Sequence, residues 1–303
     1  MTNHGATDPA SAPPPTTVGK RTFAWGARTY VMGIINVTPD SFSGDGVLAG
    51  ATAEHEAVER AVASARQMVA DGADILDVGG ESTRPGHAPV GADEELGRVV
   101  PVIAALRAAL PDTPVSVDTT KVSVAEAALA AGANLINDVW GVGADETLMR
   151  LAATNQVPLV IMHNREEPKY RRLLPEIVDD LRAALDRAVR LRVAWDNLVV
   201  DPGFGFGKTA DHNLELLREL DQLRALGRPI LIGTSRKSTL GRVLDLPPDE
   251  RLEATLATTA LAIARGADMV RVHDVRANVR AARITDAIIR ANWRSEPAEG
   301  GPS

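Results

Sequence analysis

The sequence predicts an α/β chain folded as a single-domain (β/α)8 (TIM) barrel, and three observations carry that prediction. Eight short runs recur along the 303 residues, most of them apolar on both faces, as parallel strands covered by helices are. Between them lie stretches whose apolar residues recur three and four positions apart, the spacing of amphipathic helices. A single connector appears three times, as Asp71-Gly72-Ala73-Asp74, Ala131-Gly132-Ala133-Asn134 and Arg265-Gly266-Ala267-Asp268, with Gly where a helix C-cap wants a left-handed residue. Eight βα units without an intervening linker favour a closed barrel. An open doubly wound sheet is the alternative that spacing alone leaves standing.

In chain order the strands are read at Tyr30 to Asn36, Ile75 to Val78, Val115 to Asp118, Leu135 to Asn137, Leu159 to Met162, Leu198 to Asp201, Ile230 to Ile232 and Met269 to Val272. The helical stretches include Ala53 to Ala70, Glu94 to Ala109, Ser123 to Ala131, Glu176 to Arg192 and His212 to Leu226. Residues 1–19, rich in Pro, Thr, Ser and Ala, read as a disordered tail, and 295–303 as a flexible C-terminus, which leaves 20–294 as the folded domain. The tail lacks the basic start and apolar middle of a secretory signal, so the cytoplasm is the default location.

Composition excludes several classes of function. The net charge is -7 with Lys and Arg scattered, so there is no basic stripe for a phosphate backbone, and nucleic acid is not an expected partner. The absence of cysteine removes disulfide frameworks, thiolate metal sites and a Cys nucleophile. No window is apolar for long enough to span a bilayer, and no expected partner is a membrane.

Several strands end on a polar residue: Asn36, Asp118, Asn137 and Asp201, with Arg271 and His273 two apart on the last. Parallel strands in one sheet bring their C-terminal ends together, where ligands of such folds bind, so these side chains converge on one site. The first two βα loops, Val37 to Gly46 and Gly79 to Gly86, are polar, glycine-rich and longer than a minimal connection, as mobile active-site covers are. Taken singly, their Pro and Gly could simply turn the chain, and Asp40 and Ser41 could cap the next helix. Arg271 and His273, with Ser235, Arg236 and Lys237 nearby, occupy the usual phosphate corner of a barrel.

Asp201-Pro202-Gly203-Phe204-Gly205-Phe206-Gly207-Lys208-Thr209 fails as a P-loop, which needs Gly where Pro202 stands. It offers instead a strand-end carboxylate, glycines for close approach, and two rings to flank a flat ligand; the plainer reading is a turn with Phe204 or Phe206 in the core. Gly233-Thr234-Ser235-Arg236-Lys237 lacks the closing Gly of a nucleophile elbow. None of the six histidines forms a close ligand cluster, so a zinc site is not expected.

The segments Met32 to Ser43 and Asp77 to Gly86, followed by Ser116-Val117-Asp118-Thr119, Ile136-Asn137-Asp138, Asp201 to Lys208, Ser235-Arg236-Lys237-Ser238 and Arg271-Val272-His273-Asp274, resemble the signature segments of the dihydropteroate synthase family in their order. The resemblance implies a TIM-barrel transferase of folate biosynthesis. Its reaction joins p-aminobenzoate to 6-hydroxymethyl-7,8-dihydropterin pyrophosphate, releasing pyrophosphate with Mg²⁺ assistance by a largely dissociative route. It implies that Asp118, Asn137 and Asp201 hold the pterin, with Lys237 donating to its carbonyl side and Met162 packing on the ring. It places Asn36 on Mg²⁺ and the pyrophosphate, and Thr83, Arg271 and His273 on the phosphates. Asp40 would help stabilise the pterin cation, with Asp118 and Lys237 completing the catalytic group. Phe42, Arg84, Pro85, Phe206, Lys237 and Ser238 would form the p-aminobenzoate pocket, the site at which sulfonamides compete. A homodimer through the outer helices of the later βα units is also implied.

One departure from the family pattern is visible, where Ser43-Gly44-Asp45-Gly46 replaces the common Ser-Asp-Gly-Gly order. It bears on p-aminobenzoate and sulfonamide selection. Two other readings compete: a methyltetrahydrofolate-binding methyltransferase barrel, which needs no pyrophosphate site, and a catalytically silent pterin-binding paralogue. The anion residues Thr83, Arg84, Arg271 and His273 argue against the first, and the retention of both loops against the second.

Overall fold

A computed structural model describes residues 12–37, 51–81, 90–143 and 145–291. The eight expected strands are β3 (Tyr30–Asn36), β4 (Ile75–Gly79), β5 (Val115–Asp118), β6 (Leu135–Asp138), β7 (Leu159–Met162), β8 (Leu198–Asp201), β9 (Leu231–Ile232) and β10 (Met269–Val272). They form one parallel sheet in the order β8-β7-β6-β5-β4-β3-β10-β9. A parallel bridge between Val200 and Ile230 joins its two ends, so the sheet closes into the expected barrel.

Around it run α1 (Ala51–Ala70), α2 (Ala92–Ala109), α3 (Val122–Ala130), α4 (Thr147–Asn155), α5 (Leu173–Arg190), α6 (Ala210–Arg218), α7 (Ser238–Leu244), α8 (Leu252–Ala264) and α9 (Val275–Ile289). Helix α5 illustrates the rule: Leu174, Ile177, Val178, Leu181, Ala184, Leu185 and Ala188 recur at three and four positions and are all buried. It starts three residues before the expected Glu176 because that carboxylate reaches back to the backbone N-H groups of Arg171 and Arg172, at 2.7 and 2.9 Å. The expected helix from His212 to Leu226 divides, α6 giving way to a 3-10 turn over Leu220–Leu226. Leu217, Leu220, Leu223 and Leu226 are spaced by three, the period of a 3-10 helix, and all four are buried.

The repeated connector performs one task three times. Gly72, Gly132 and Gly266 take φ of 103°, 109° and 96°, ending their helices in the left-handed region. The residue two positions on then staples the neighbouring strand. Asp74, Asn134 and Asp268 accept through their side chains from the N-H of Val31, Val115 and Ile230, at 2.9, 3.1 and 3.1 Å. Each returns its own N-H to the same residue's carbonyl, at 2.8, 2.7 and 2.9 Å. Two further helices end in the same turn with Gln156 and Arg192 at positive φ, which glycine punctuation could not reveal.

The expected tail through residue 19 is corrected at Thr16. The strands β1 (Thr16–Val18) and β2 (Arg21–Phe23) pair antiparallel across Gly19-Lys20, with Gly19 at φ +59° at the first position of a two-residue hairpin loop. Val18, Phe23 and Trp25 close the N-terminal mouth of the barrel over Tyr30, Met32, Ile75, Leu135, Val160, Val199, Leu231 and Met269. Trp25 donates its indole N-H to Thr16 at 2.9 Å. Two β-prone triplets flanking a Gly-Lys turn are what tail-like composition concealed. The apolar plug fills the lower barrel, which leaves polar side chains to the C-terminal mouth.

Candidate active site

Strand register sets the polar row at that mouth. Asn36 lies beside Gly79, Gly79 beside Asp118 and Asp118 beside Asn137, while Met162 lies beside Asp201. Asp118, Asn137, Met162 and Asp201 are buried, and Asn36 and His273 half-buried. One carboxylate that the strand-end rule missed joins them. Asp77, in the middle of β4 and fully buried, accepts from Arg271 Nε at 2.6 Å and from Asn137 Nδ2 at 3.2 Å. Arg271 Nη2 donates to Asp118 at 2.6 Å, so one guanidinium bridges two buried carboxylates. A charge interrupting an apolar strand two residues before Gly79 was the available signal for Asp77.

Three buried polar atoms of this cluster, Asp77 Oδ1, Ser116 Oγ and Asp118 Oδ1, have no hydrogen-bond partner among the described residues. Burial pushes the Asp118 carboxyl up to about 7, against the pull of Arg271. Asp201 is pushed up to about 6 by burial, although Gly203 N-H donates to its Oδ1 at 2.7 Å and Lys237 opposes the shift. Lys237 acts on both carboxyls, so Asp118, Asp201 and Lys237 share one electrostatic field. Its ammonium also lies 3.9 Å from the centre of the Phe206 ring.

The glycine-rich segment divides its two rings: Phe204 packs into the core, and half-buried Phe206 faces Lys237. The expected pair of flanking rings is thus a single ring. In the phosphate corner, Ser235 Oγ lies 3.0 Å from His273 Nδ1 and accepts the His273 backbone N-H at 3.2 Å. Arg236 is engaged in a bidentate pair with Asp274, at 3.0 and 2.7 Å. Ser238 begins α7 and is exposed. Asp40, Phe42, Thr83, Arg84 and Pro85 lie outside the described residues.

This arrangement suits a flat, polar heterocycle bearing an anionic group. Buried carboxylates and an amide can pair with a donor and acceptor edge, an ammonium can meet a carbonyl, and Arg271 with His273 can meet an anion. The model of the pterin binding enzyme family matches residues 32–273. The dihydropteroate synthase of Clostridium beijerinckii is 48% identical over 274 residues, covering 90% of this chain and 99% of its own. That of Bacillus subtilis is 48% identical over 262 residues, 86% of this chain and 89% of its own. Among solved structures, the Clostridium difficile dihydropteroate synthase in the presence of pteroic acid has a TM-score of 0.83 at 48% identity, covering 88% of this chain and 99% of its own. The Xanthomonas albilineans enzyme with 4-aminobenzoic acid has a TM-score of 0.84 at 40% identity, covering 92% and 98%. With a family match from β3 to the residue after β10 and relatives this similar over nearly their whole length, the chain belongs to the dihydropteroate synthase family of pterin-binding enzymes.

Proposed function

We propose that this protein joins p-aminobenzoate to 6-hydroxymethyl-7,8-dihydropterin pyrophosphate, giving 7,8-dihydropteroate and pyrophosphate, a transferase step of folate biosynthesis. The observation that carries the reading is the convergence of buried Asp118, Asn137 and Asp201 with Arg271 at the C-terminal ends of the strands. The Xanthomonas albilineans relative has been solved with 4-aminobenzoic acid and with 7,8-dihydropteroate.

In this reading Asp118, Asn137 and Asp201 take the amino-pyrimidine edge of the pterin. Its N-H groups draw the two raised carboxyls back to their charged forms. Lys237 donates to the pterin carbonyl and Met162 packs on the ring. Arg271, His273 and Thr83 meet the pyrophosphate, where charge grows as the C-O bond breaks, so their donors favour the transition state over the ground state. Breaking that bond first leaves a resonance-stabilised pterin cation, stabilised by Asp40 and captured by the aryl amine. Phe42, Arg84, Pro85, Phe206, Lys237 and Ser238 surround the amine, and a sulfonamide competes there.

Asn36 offers a half-buried amide oxygen at the end of β3. A single hard oxygen suits Mg²⁺, which takes one or two protein ligands, keeps waters and completes its shell with substrate phosphates. When bound, the ion would neutralise charge on the leaving pyrophosphate.

A homodimer belongs to the same reading. Exposed Leu261, Ile284, Ile288 and Ile289 on α8 and α9, with Val243 and Leu244 on α7, give the later outer helices an apolar face. No helix among the described residues is long and apolar enough to cross a membrane, and we place the reaction in the cytoplasm. Incubating the purified protein with both substrates and Mg²⁺ and separating the products by chromatography tests the function. Dihydropteroate is the expected product, and its absence with a folded protein would contradict the reading.

A further inference from the structure

We infer that Lys208 is a positioning residue: it clamps the loop between β8 and α6 so that Asp201 and Phe206 present their binding groups, an inference that rests on the function proposed above. The lysine that would reach for phosphate in a P-loop is turned here onto its own loop. Its ammonium donates to the carbonyls of Gly203 and Phe206, at 3.1 and 3.0 Å. The third donor meets His163 Nδ1 at 3.1 Å. The His163 carbonyl lies further off, at 3.5 Å, and an ammonium has three N-H donors for these contacts where a neutral amine has two; burial pulls Lys208 down to about 7 with Asp201 opposing, so the clamp is strongest below neutral pH.

His163 is prepared for that role. It is fully buried, and its Nε2 lies 3.2 Å from Asp180 on α5, which Arg165 also holds at 2.7 Å. A ring between a carboxylate and an ammonium has one consistent assignment, with Nε2-H donating to Asp180 and Nδ1 accepting from Lys208. Burial pushes His163 down to about 3, which keeps the ring neutral and Nδ1 open as an acceptor.

The link to the substrate residues is short. Lys208 holds the Gly203 carbonyl, and the Gly203 N-H donates to Asp201 Oδ1 at 2.7 Å, which fixes that carboxylate's rotation. Lys208 also holds the carbonyl of Phe206, whose ring meets Lys237. The loop needs such a hold. Gly203 and Gly207 have φ of +71° and +53°, and a Cβ on either would fall 1.9 Å from the His163 carbonyl oxygen or 2.3 Å from that of Arg165. These glycines let the loop lie directly on the backbone after β7 but contribute no side chain to keep it there.

The test is a double-mutant cycle read by calorimetry with 6-hydroxymethylpterin, using Lys208→Met, Asp201→Asn and the double variant. Loss of a charge-assisted clamp should weaken pterin binding by Lys208→Met roughly ten- to a hundredfold. The double variant should bind within about twofold of Asp201→Asn alone, because both changes remove one pairing. Wild-type affinity in a folded Lys208→Met protein, or additive losses in the double variant, would overturn the inference. If Lys208→Met does not fold, Asp180→Asn tests the chain from its half-exposed end, with a pterin affinity loss of about threefold expected and unchanged affinity overturning it. Failure of the wild-type protein to bind the pterin would contradict the proposed function instead.

Discussion

Replacing Arg271 by Met removes the cation from between two buried carboxylates while keeping much of the side chain's volume. In the native protein its nitrogens lie 2.6 Å from Asp77 and 2.6 Å from Asp118, and Asp77 is 0% exposed and Asp118 8%. Removing one partner of a buried ion pair costs about 3–5 kcal/mol, because the remaining charge stays desolvated. Asp118, already pushed up to about 7 by burial against the pull of Arg271, then loses that pull and holds its proton further above the ordinary aspartate value of about 3.9. Between that value and its raised folded value, the unfolded chain has released a proton that the folded state retains, so stability falls as pH rises. The expected loss is therefore about 3–5 kcal/mol at pH 8 and about 1–2 kcal/mol at pH 5. Urea denaturation of both proteins at the two pH values measures it. An equal loss at both, or a loss below about 1 kcal/mol at pH 8, would show that Arg271 does not hold these carboxyls in this way. Adding Asp77→Asn should return part of the stability at pH 8 without returning activity.

Further outcomes follow from the same geometry. With Asp118 pushed up to about 7 and Asp201 to about 6 by burial, the unliganded wild-type protein should lose stability as pH rises through this range, and a bound pterin should flatten that slope; thermal melts between pH 5 and pH 8 with and without 6-hydroxymethylpterin check it. Asp201→Asn should bind pterin at least about thirtyfold more weakly, because a buried charge-assisted pairing is lost, and retained affinity in calorimetry would count against Asp201 as a pterin ligand. Gly203→Ala, with its Cβ 1.9 Å from a backbone oxygen, should cost more than about 2 kcal/mol. Gly91→Ala, with nothing within 4 Å of its Cβ among the described residues, should cost far less in the same denaturation series. p-Aminobenzoate should bind tightly only after pterin pyrophosphate or pyrophosphate, and tight binding to the protein alone in calorimetry would contradict ordered binding.

The barrel was legible because its cues are local. Buried parallel strands are short apolar runs, and Tyr30–Asn36, Val115–Asp118, Leu159–Met162, Leu198–Asp201 and Met269–Val272 end where those runs end. The ninth strand shortened to Leu231–Ile232 because Ile230 is spent on the bridge to Val200 that closes the barrel, a partner 30 residues away. The hairpin at Thr16 and the break after α6 were also written locally, as triplets around Gly19-Lys20 and as leucines spaced by three. In the site, the strand-end polar residues were legible from position alone. Asp77 was not, since its reason for being buried is Arg271, 194 residues away and reached only when β10 lies beside β3 and β3 beside β4. Lys208 drew no role from the sequence, because its partner His163, itself held by Asp180, comes from another βα unit.

Pyrophosphate release from the wild-type protein, followed continuously with Mg²⁺ and with p-aminobenzoate present or omitted, tests most directly whether these strand ends form a transferase site. One pyrophosphate per dihydropteroate formed is expected, with release that requires p-aminobenzoate for sustained turnover, inhibition by a sulfonamide, and loss of the signal in Asp201→Asn. A folded protein that binds the pterin and releases no pyrophosphate with both substrates would contradict that expectation, and would point to a pterin-binding barrel without this chemistry.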